Sequence, residues 1–147
     1  CDGGLVCTGG GSPSCQAAVE QCVGVVPIEL AGPARGQLGG VDHGAGSCGG
    51  AGNGDTVYQV HLTPGRYEFT AMAQFEPPPV LYARSLCSQD GRWSELGCNT
   101  RTDYHSAVAW LDLEITQAQT VYVYVDDQGA RDPSAYVLDY RRVEEAP

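Results

Sequence analysis

The sequence contains no lysine. All eight basic residues are arginine, set against eighteen aspartates and glutamates, for a formal charge of −10 over 147 residues. That balance argues against nucleic acid, because gripping a phosphate backbone requires a positive surface, and against anionic membrane surfaces. Long apolar runs are also missing. Nothing approaches the ~20 consecutive apolar residues that span a bilayer, and no positively charged start leads into an apolar segment. There is no CxxC, and the histidines (His43, His61, His105) are scattered, so zinc-ligand spacing is absent. Neither GxSxG nor HExxH occurs. A serine or cysteine nucleophile would need a histidine base oriented by a carboxylate, and none of the three histidines sits in a nucleophile elbow. Any two of eighteen acids could be named as a glycosidase pair, so that match carries no information. These absences point away from an enzyme.

What the chain has in quantity is glycine and cysteine. Cys1, Cys7, Cys15 and Cys22 crowd the first 22 residues, Cys48 stands alone, and Cys87 and Cys98 flank a short loop. A disulfide framework in an oxidising compartment accounts for this usage, which places the chain outside the cytoplasm. Residues 1–26 are rich in Gly, Ser and Cys and cannot build a core of their own; they read as a tether or a stapled cap. Residues 27–147 read as the folded domain.

From Pro27 onward, short alternating segments lie between turn signals, the pattern of an all-β sandwich. Ile28–Leu38 reads as an edge strand broken by Pro33, and the Gly-rich stretch Gly39–Asp55 as a long loop. Thr56–Leu62 and Arg66–Ala73 read as a hairpin closed by TPG. Val80–Ser85, Ser106–Ile115, Thr120–Asp126 and Ala135–Arg142 complete about seven or eight strands with almost no helix. Successive strand side chains point to opposite faces. Leu111, Leu113 and Ile115 therefore share a core face, as do Tyr67, Phe69 and Ala71, and Tyr136, Leu138 and Tyr140. In TVYVYVD both faces are apolar or amphipathic, Val121, Val123 and Val125 on one side and Tyr122 and Tyr124 on the other.

Residues 28–143 resemble the bacterial pre-peptidase C-terminal domain, in the disulfide-bearing form of myxobacterial-type secreted proteins. The resemblance rests on GQLGGVDH, SCGGAGNGDTVYQVHLTPGRYEFTA, VLYARSLCSQDGRWSELGCNT, LEITQAQTVYVYVDDQG and SAYVLDY. It implies a jelly-roll-like antiparallel β-sandwich without an active site, found beside secreted enzymes or in surface proteins. It also implies that binding of calcium, collagen or polysaccharide occurs among its relatives. One departure stands out. Similar domains often carry a cysteine in the strand held here by Thr70–Ala73, as partner for the SCGG cysteine; this chain has none, so Cys48 must pair elsewhere. The favoured pairing is Cys87–Cys98, a loop closure contributing about 3 kcal/mol in the chain-entropy model, with Cys7–Cys15 as a local clasp and Cys22–Cys48 tying the N-terminal segment to the sandwich. Connectivity is not readable from spacing alone. Cys1 is left over. It reads as the lipid-bearing first residue of a mature lipoprotein, as one half of an intermolecular disulfide, or as a mere boundary of the sequence.

Two surface sites are candidates. Asp126, Asp127 and Asp132 share one loop and would suit calcium, which takes several oxygen ligands from flexible loops; the rival reading is an acidic turn facing water. Tyr122 and Tyr124, with Tyr58 and Trp110 on neighbouring strands, form a candidate interaction stripe, since tyrosine offers rigid contact area with a polar tip; the rival reading is that these rings are covered. The function expected is a non-catalytic extracellular structural or assembly module, a surface lipoprotein or a subunit of an extracellular polymer or filament, with itself as partner. The alternative is an adhesive accessory module that binds polysaccharide or matrix protein beside a secreted enzyme, with calcium as the candidate ion.

Overall fold

A computed structural model describes residues 5–8, 14–17, 26–27, 33–38, 46–48, 55–75, 77–86, 94–99, 101–103, 105–127 and 134–143. These residues form twelve strands and no α-helix. The strands are β1 (Leu5–Thr8), β2 (Ser14–Ala17), β3 (Val26–Pro27), β4 (Ala34–Gln37), β5 (Asp55–Leu62) and β6 (Gly65–Ala73), then β7 (Val80–Arg84), β8 (Glu95–Cys98), β9 (Arg101–Asp103), β10 (Val108–Ile115), β11 (Gln119–Asp126) and β12 (Ala135–Val143). Two five-stranded sheets result, β4-β12-β6-β10-β9 and β3-β5-β11-β7-β8, beside a two-stranded β1-β2 pair. The expected jelly-roll-like β-sandwich is therefore the observed architecture. Strands beyond the eight expected come mainly from short pieces such as β8, which lies in what reads as the Cys87–Cys98 loop.

Alternation places the core where the sequence puts it. Phe69 and Ala71 of β6, Leu111 and Leu113 of β10, Leu138 of β12 and Val121 and Val123 of β11 are all buried between the sheets. Removing each large apolar side chain from water contributes roughly 1.5–3 kcal/mol. The core also holds a polar pair. The Tyr58 and Tyr136 hydroxyls lie 2.6 Å apart, and the two rings stand edge to face with centroids 6.4 Å apart. Burial pushes both hydroxyls above the ordinary tyrosine pKa, so the two rings share one internal hydrogen bond in place of water.

The TPG segment is not a hairpin turn. β5 pairs with β11 and β3, whereas β6 pairs with β10 and β12, so the chain passes from one sheet to the other at Thr63–Pro64. The physical reason is that both strands carry a full core face. Pairing them side by side would put the two faces into one layer, whereas crossing lets Leu62 and Tyr67 close the sandwich from opposite sides. Side chains satisfy the exposed carbonyls of this corner, Tyr67 Oη donating to Thr63 O at 2.8 Å and Arg142 Nη2 to Pro64 O at 2.8 Å. β4 is an edge strand, as Pro33 requires.

Candidate functional site

The outer face of the β3-β5-β11-β7-β8 sheet is a second, smaller core. Register sets Tyr124 between Val57 and Tyr82, and Tyr122 beside Gln59 and Arg84. Val57, Val80, Tyr82 and Tyr124 are all buried there. The Tyr82 and Tyr124 rings stack at 4.7 Å and 14°. The Arg84 guanidinium lies over both, 5.0 and 4.8 Å from their centroids, although Arg84 is 1% exposed. Cation–π attraction of this kind strengthens when desolvated. Tyr82 Oη donates to Asp126 Oδ2 at 2.8 Å. Burial first, then the Asp126 carboxylate, drives the Tyr82 hydroxyl well above its usual pKa.

A pinned loop lies against this cluster. Gly46 packs so closely on the Tyr82 ring that a Cβ there would stand 2.6 Å from a ring carbon, and glycine permits that approach. Ser47 N donates to Glu95 Oε1 at 2.9 Å, Cys48 N to Cys98 Sγ at 3.1 Å, and a Cys48–Cys98 disulfide joins Cα atoms 5.8 Å apart. This bond corrects two expectations at once, since neither Cys87–Cys98 nor Cys22–Cys48 can form while Cys48 and Cys98 hold each other. The reason is spatial. β8 runs beside β7 and brings Cys98 opposite Tyr82, directly under the Gly46–Cys48 turn. Cys1, Cys22 and Cys87 lie outside the described residues. β1–β2 pairing sets Cys7 opposite Cys15, while their side chains also lie outside that description.

The tyrosine stripe is corrected as well. Tyr124 has no exposure and Tyr122 is half-buried, because the face they share is roofed. Tyr58 points into the main core, and Trp110 belongs to the other sheet. In the calcium set, both Asp126 oxygens accept internal hydrogen bonds, from Tyr82 and from Asp127 N at 2.8 Å. Asp132 lies outside the described residues, and among those described no group of three His, Cys, Asp or Glu side chains converges as a metal site. Among them, too, no helix is long and apolar enough to cross a membrane.

The opposite outer face, on β4-β12-β6-β10-β9, is crossed by no described segment, although Val108 of β10 is itself buried. Met72 is 53% exposed at its centre, level with Val137 and Val108. The Arg101 guanidinium lies 4.9 Å over the Trp110 ring and reaches Glu68 Oε2 at 2.9 Å; Arg141 reaches Glu68 Oε1 at 3.3 Å from the other side. Two shallow grooves cross this face, about 370 Å³ beside Met72, Thr70 and Asp139, and about 530 Å³ between Arg101, Asp112 and Glu114. At its rim Asp103 accepts from His105 N at 3.0 Å; Ser106 and that amide hold its carboxyl below the usual range. His61 is exposed on the other sheet. The alternation Glu68–Thr70–Met72 signals this face in the sequence, but only as a solvated side.

No protein-family model and no curated protein matches the sequence. Among solved structures, the chain is similar to the pre-peptidase C-terminal domain of a collagenase from Bacillus anthracis, with a TM-score of 0.55 and 12% identity over 80% of this chain and 94% of that one. It is also similar to periplasmic inhibitors of g-type lysozyme from Aeromonas hydrophila (TM-score 0.48, 13% identity, 80% and 96% covered) and Salmonella Typhimurium (0.41, 12%, 80% and 98%). The first likeness shows the fold: this is a pre-peptidase C-terminal-like β-sandwich.

Proposed function

We propose that the chain is a non-catalytic module of the bacterial exterior that works by assembly, as a surface lipoprotein or a subunit of an extracellular polymer. The observation that supports this reading is the asymmetry of the sandwich. One outer face is consumed by its own disulfide-pinned cap, and the other is crossed by no described segment, with an apolar centre inside a frame of paired charges. Residues 1–26 act as tether or cap in this reading. Electron microscopy and light scattering of native material test it, with particles larger than one chain expected. Intact-mass measurement reveals any lipid, since acyl chains add a mass that no disulfide mimics. Substrate turnover abolished by changing a single His or Ser would overturn the non-catalytic assignment.

The Trp110–Arg101 stack favours a second reading, an adhesive module. A half-buried indole backed by a guanidinium offers a platform for a sugar ring or a matrix protein. Monodisperse single chains retained on an extracellular polysaccharide column would move the function to that reading.

A further inference from the structure

The charges of the open face are arranged in rows that complement themselves. Strand order puts β6 in the middle, β12 and β10 on its flanks, and β4 and β9 outermost. Across this sheet one row reads Arg35, Val137, Met72, Val108, Asp103. The next carries Asp139 on β12 and Trp110 on β10, with the Arg101 guanidinium lying over that indole. The third carries Arg141 on β12, Glu68 at the centre and Asp112 on β10. In each row the two flanks bear opposite signs, and the order of signs reverses from row to row.

Resting on the assembly reading, we infer that this face is a two-fold interface and that its occupant is a second copy of the same chain. A 180° rotation about an axis along β6, lying in the plane of contact, exchanges β12 with β10 and β4 with β9 while keeping every row level. Arg141 then faces Asp112 of the second copy, the Arg101 guanidinium faces its Asp139, and Arg35 faces its Asp103. Each of these contacts occurs twice, as an isologous interface demands. Arg66, Glu68, Thr70 and Met72 all lie on the axis, so the most exposed apolar side chain of the face is buried against its own image, and the Glu68 carboxylates that meet there are each paired to Arg101 and Arg141 of their own chain. Strands of the two copies run nearly aligned, the arrangement that sheets adopt when packed face to face.

Net charge supports the same occupant. Four of the eight arginines (Arg35, Arg66, Arg101, Arg141) stand on this face among five carboxylates, which leaves it nearly neutral on a chain of formal charge −10. Self-repulsion that would keep other surfaces of two copies apart is lowest here.

The test is rescue in trans, read by sedimentation velocity over a concentration series. Wild type is expected to dimerise. Arg141→Asp sets two Asp–Asp oppositions into the dimer, Asp112→Arg sets two Arg–Arg oppositions, and each alone should weaken dimerisation at least about ten-fold, as like charges facing one another do. Mixing the two variants restores both contacts and should return the dimer at wild-type affinity, which a merely misfolded variant cannot do. Circular dichroism confirms that each variant is folded; if either is not, Arg35→Asp mixed with Asp103→Arg replaces the pair. Oligomers indifferent to these changes, or variants that fail to rescue one another, overturn the two-fold pairing and leave the assembly reading standing. A wild-type monomer at every concentration overturns both.

Discussion

The two outer faces of this sandwich are built from the same alternation and end in opposite states. On β11, Tyr122, Tyr124 and Asp126 point away from the main core, as Glu68, Thr70 and Met72 do on β6. Yet Tyr124 and Asp126 are fully buried, whereas Met72 is half exposed. The difference lies in what covers each sheet. The first is sealed where Gly46–Cys48 packs on Tyr82 and the disulfide fastens it to β8. No described segment crosses the second. A face of this fold is free for recognition only where its own loops leave it bare, and aromatic content by itself does not mark that face.

Substitutions on the sealed side should do the most damage. Tyr124→Ala removes a ring stacked on Tyr82 and beneath Arg84, and should lower stability by about 3–5 kcal/mol, the range for truncating buried aromatics. Urea unfolding measures it. A loss below about 1 kcal/mol would show that the cap does not bury this stack. Replacing both Cys48 and Cys98 with serine should cost about 2–4 kcal/mol, since the bond closes a separation of 50 residues. It should also unmask Tyr82 to solvent.

A smaller effect comes from alkali. Tyr82 keeps its proton in the folded chain, because burial and Asp126 oppose its ionisation, while an unfolded tyrosine loses it near pH 10. The unfolded state therefore binds fewer protons above about pH 10, and stability falls there by about 1.4 kcal/mol per pH unit for each such tyrosine. Below that window Tyr82 adds no pH dependence. Urea midpoints between pH 8 and 11 follow it; a midpoint flat to pH 11 would contradict the burial of the ring. Smallest of all, Met72→Ser or Arg101→Ala on the open face should change monomer stability by less than about 1 kcal/mol, as exposed side chains and surface ion pairs do. Equal losses on the two faces would abolish the contrast.

Much of this fold is legible from period-two alternation. It assigns Leu111, Leu113, Phe69 and Val123 to the core, because burial on one face is what the pattern records. Corners are harder. TPG between two alternating runs has the chemistry of a hairpin turn, and only the pairing of β5 with β11 and of β6 with β10 reveals a crossing. Cysteine connectivity depends on proximity in space, so Cys98 finds Cys48 and not the residue that encloses its loop. The doubly apolar strand at Tyr122–Tyr124 does announce two covered sides, but a roof and a docked partner would leave the same trace in the sequence. Arg84 gives no sign of burial, since a lone arginine in a strand normally reads as solvated. The open face is visible only as the polar half of each alternation; its sign-reversing rows require the register of five strands.

Hydroxyl-radical footprinting of dilute, single-chain protein tests the contrast between the faces most directly, because it reads the side chains of both in one sample. Met72 and Trp110 should be oxidised in the folded state while Tyr82 and Tyr124 stay untouched until the disulfide is reduced or the chain unfolds. Oxidation of Tyr82 and Tyr124 at the rate of Trp110 in the native, oxidised protein would contradict a sealed face and, with it, the division of labour proposed for this sandwich.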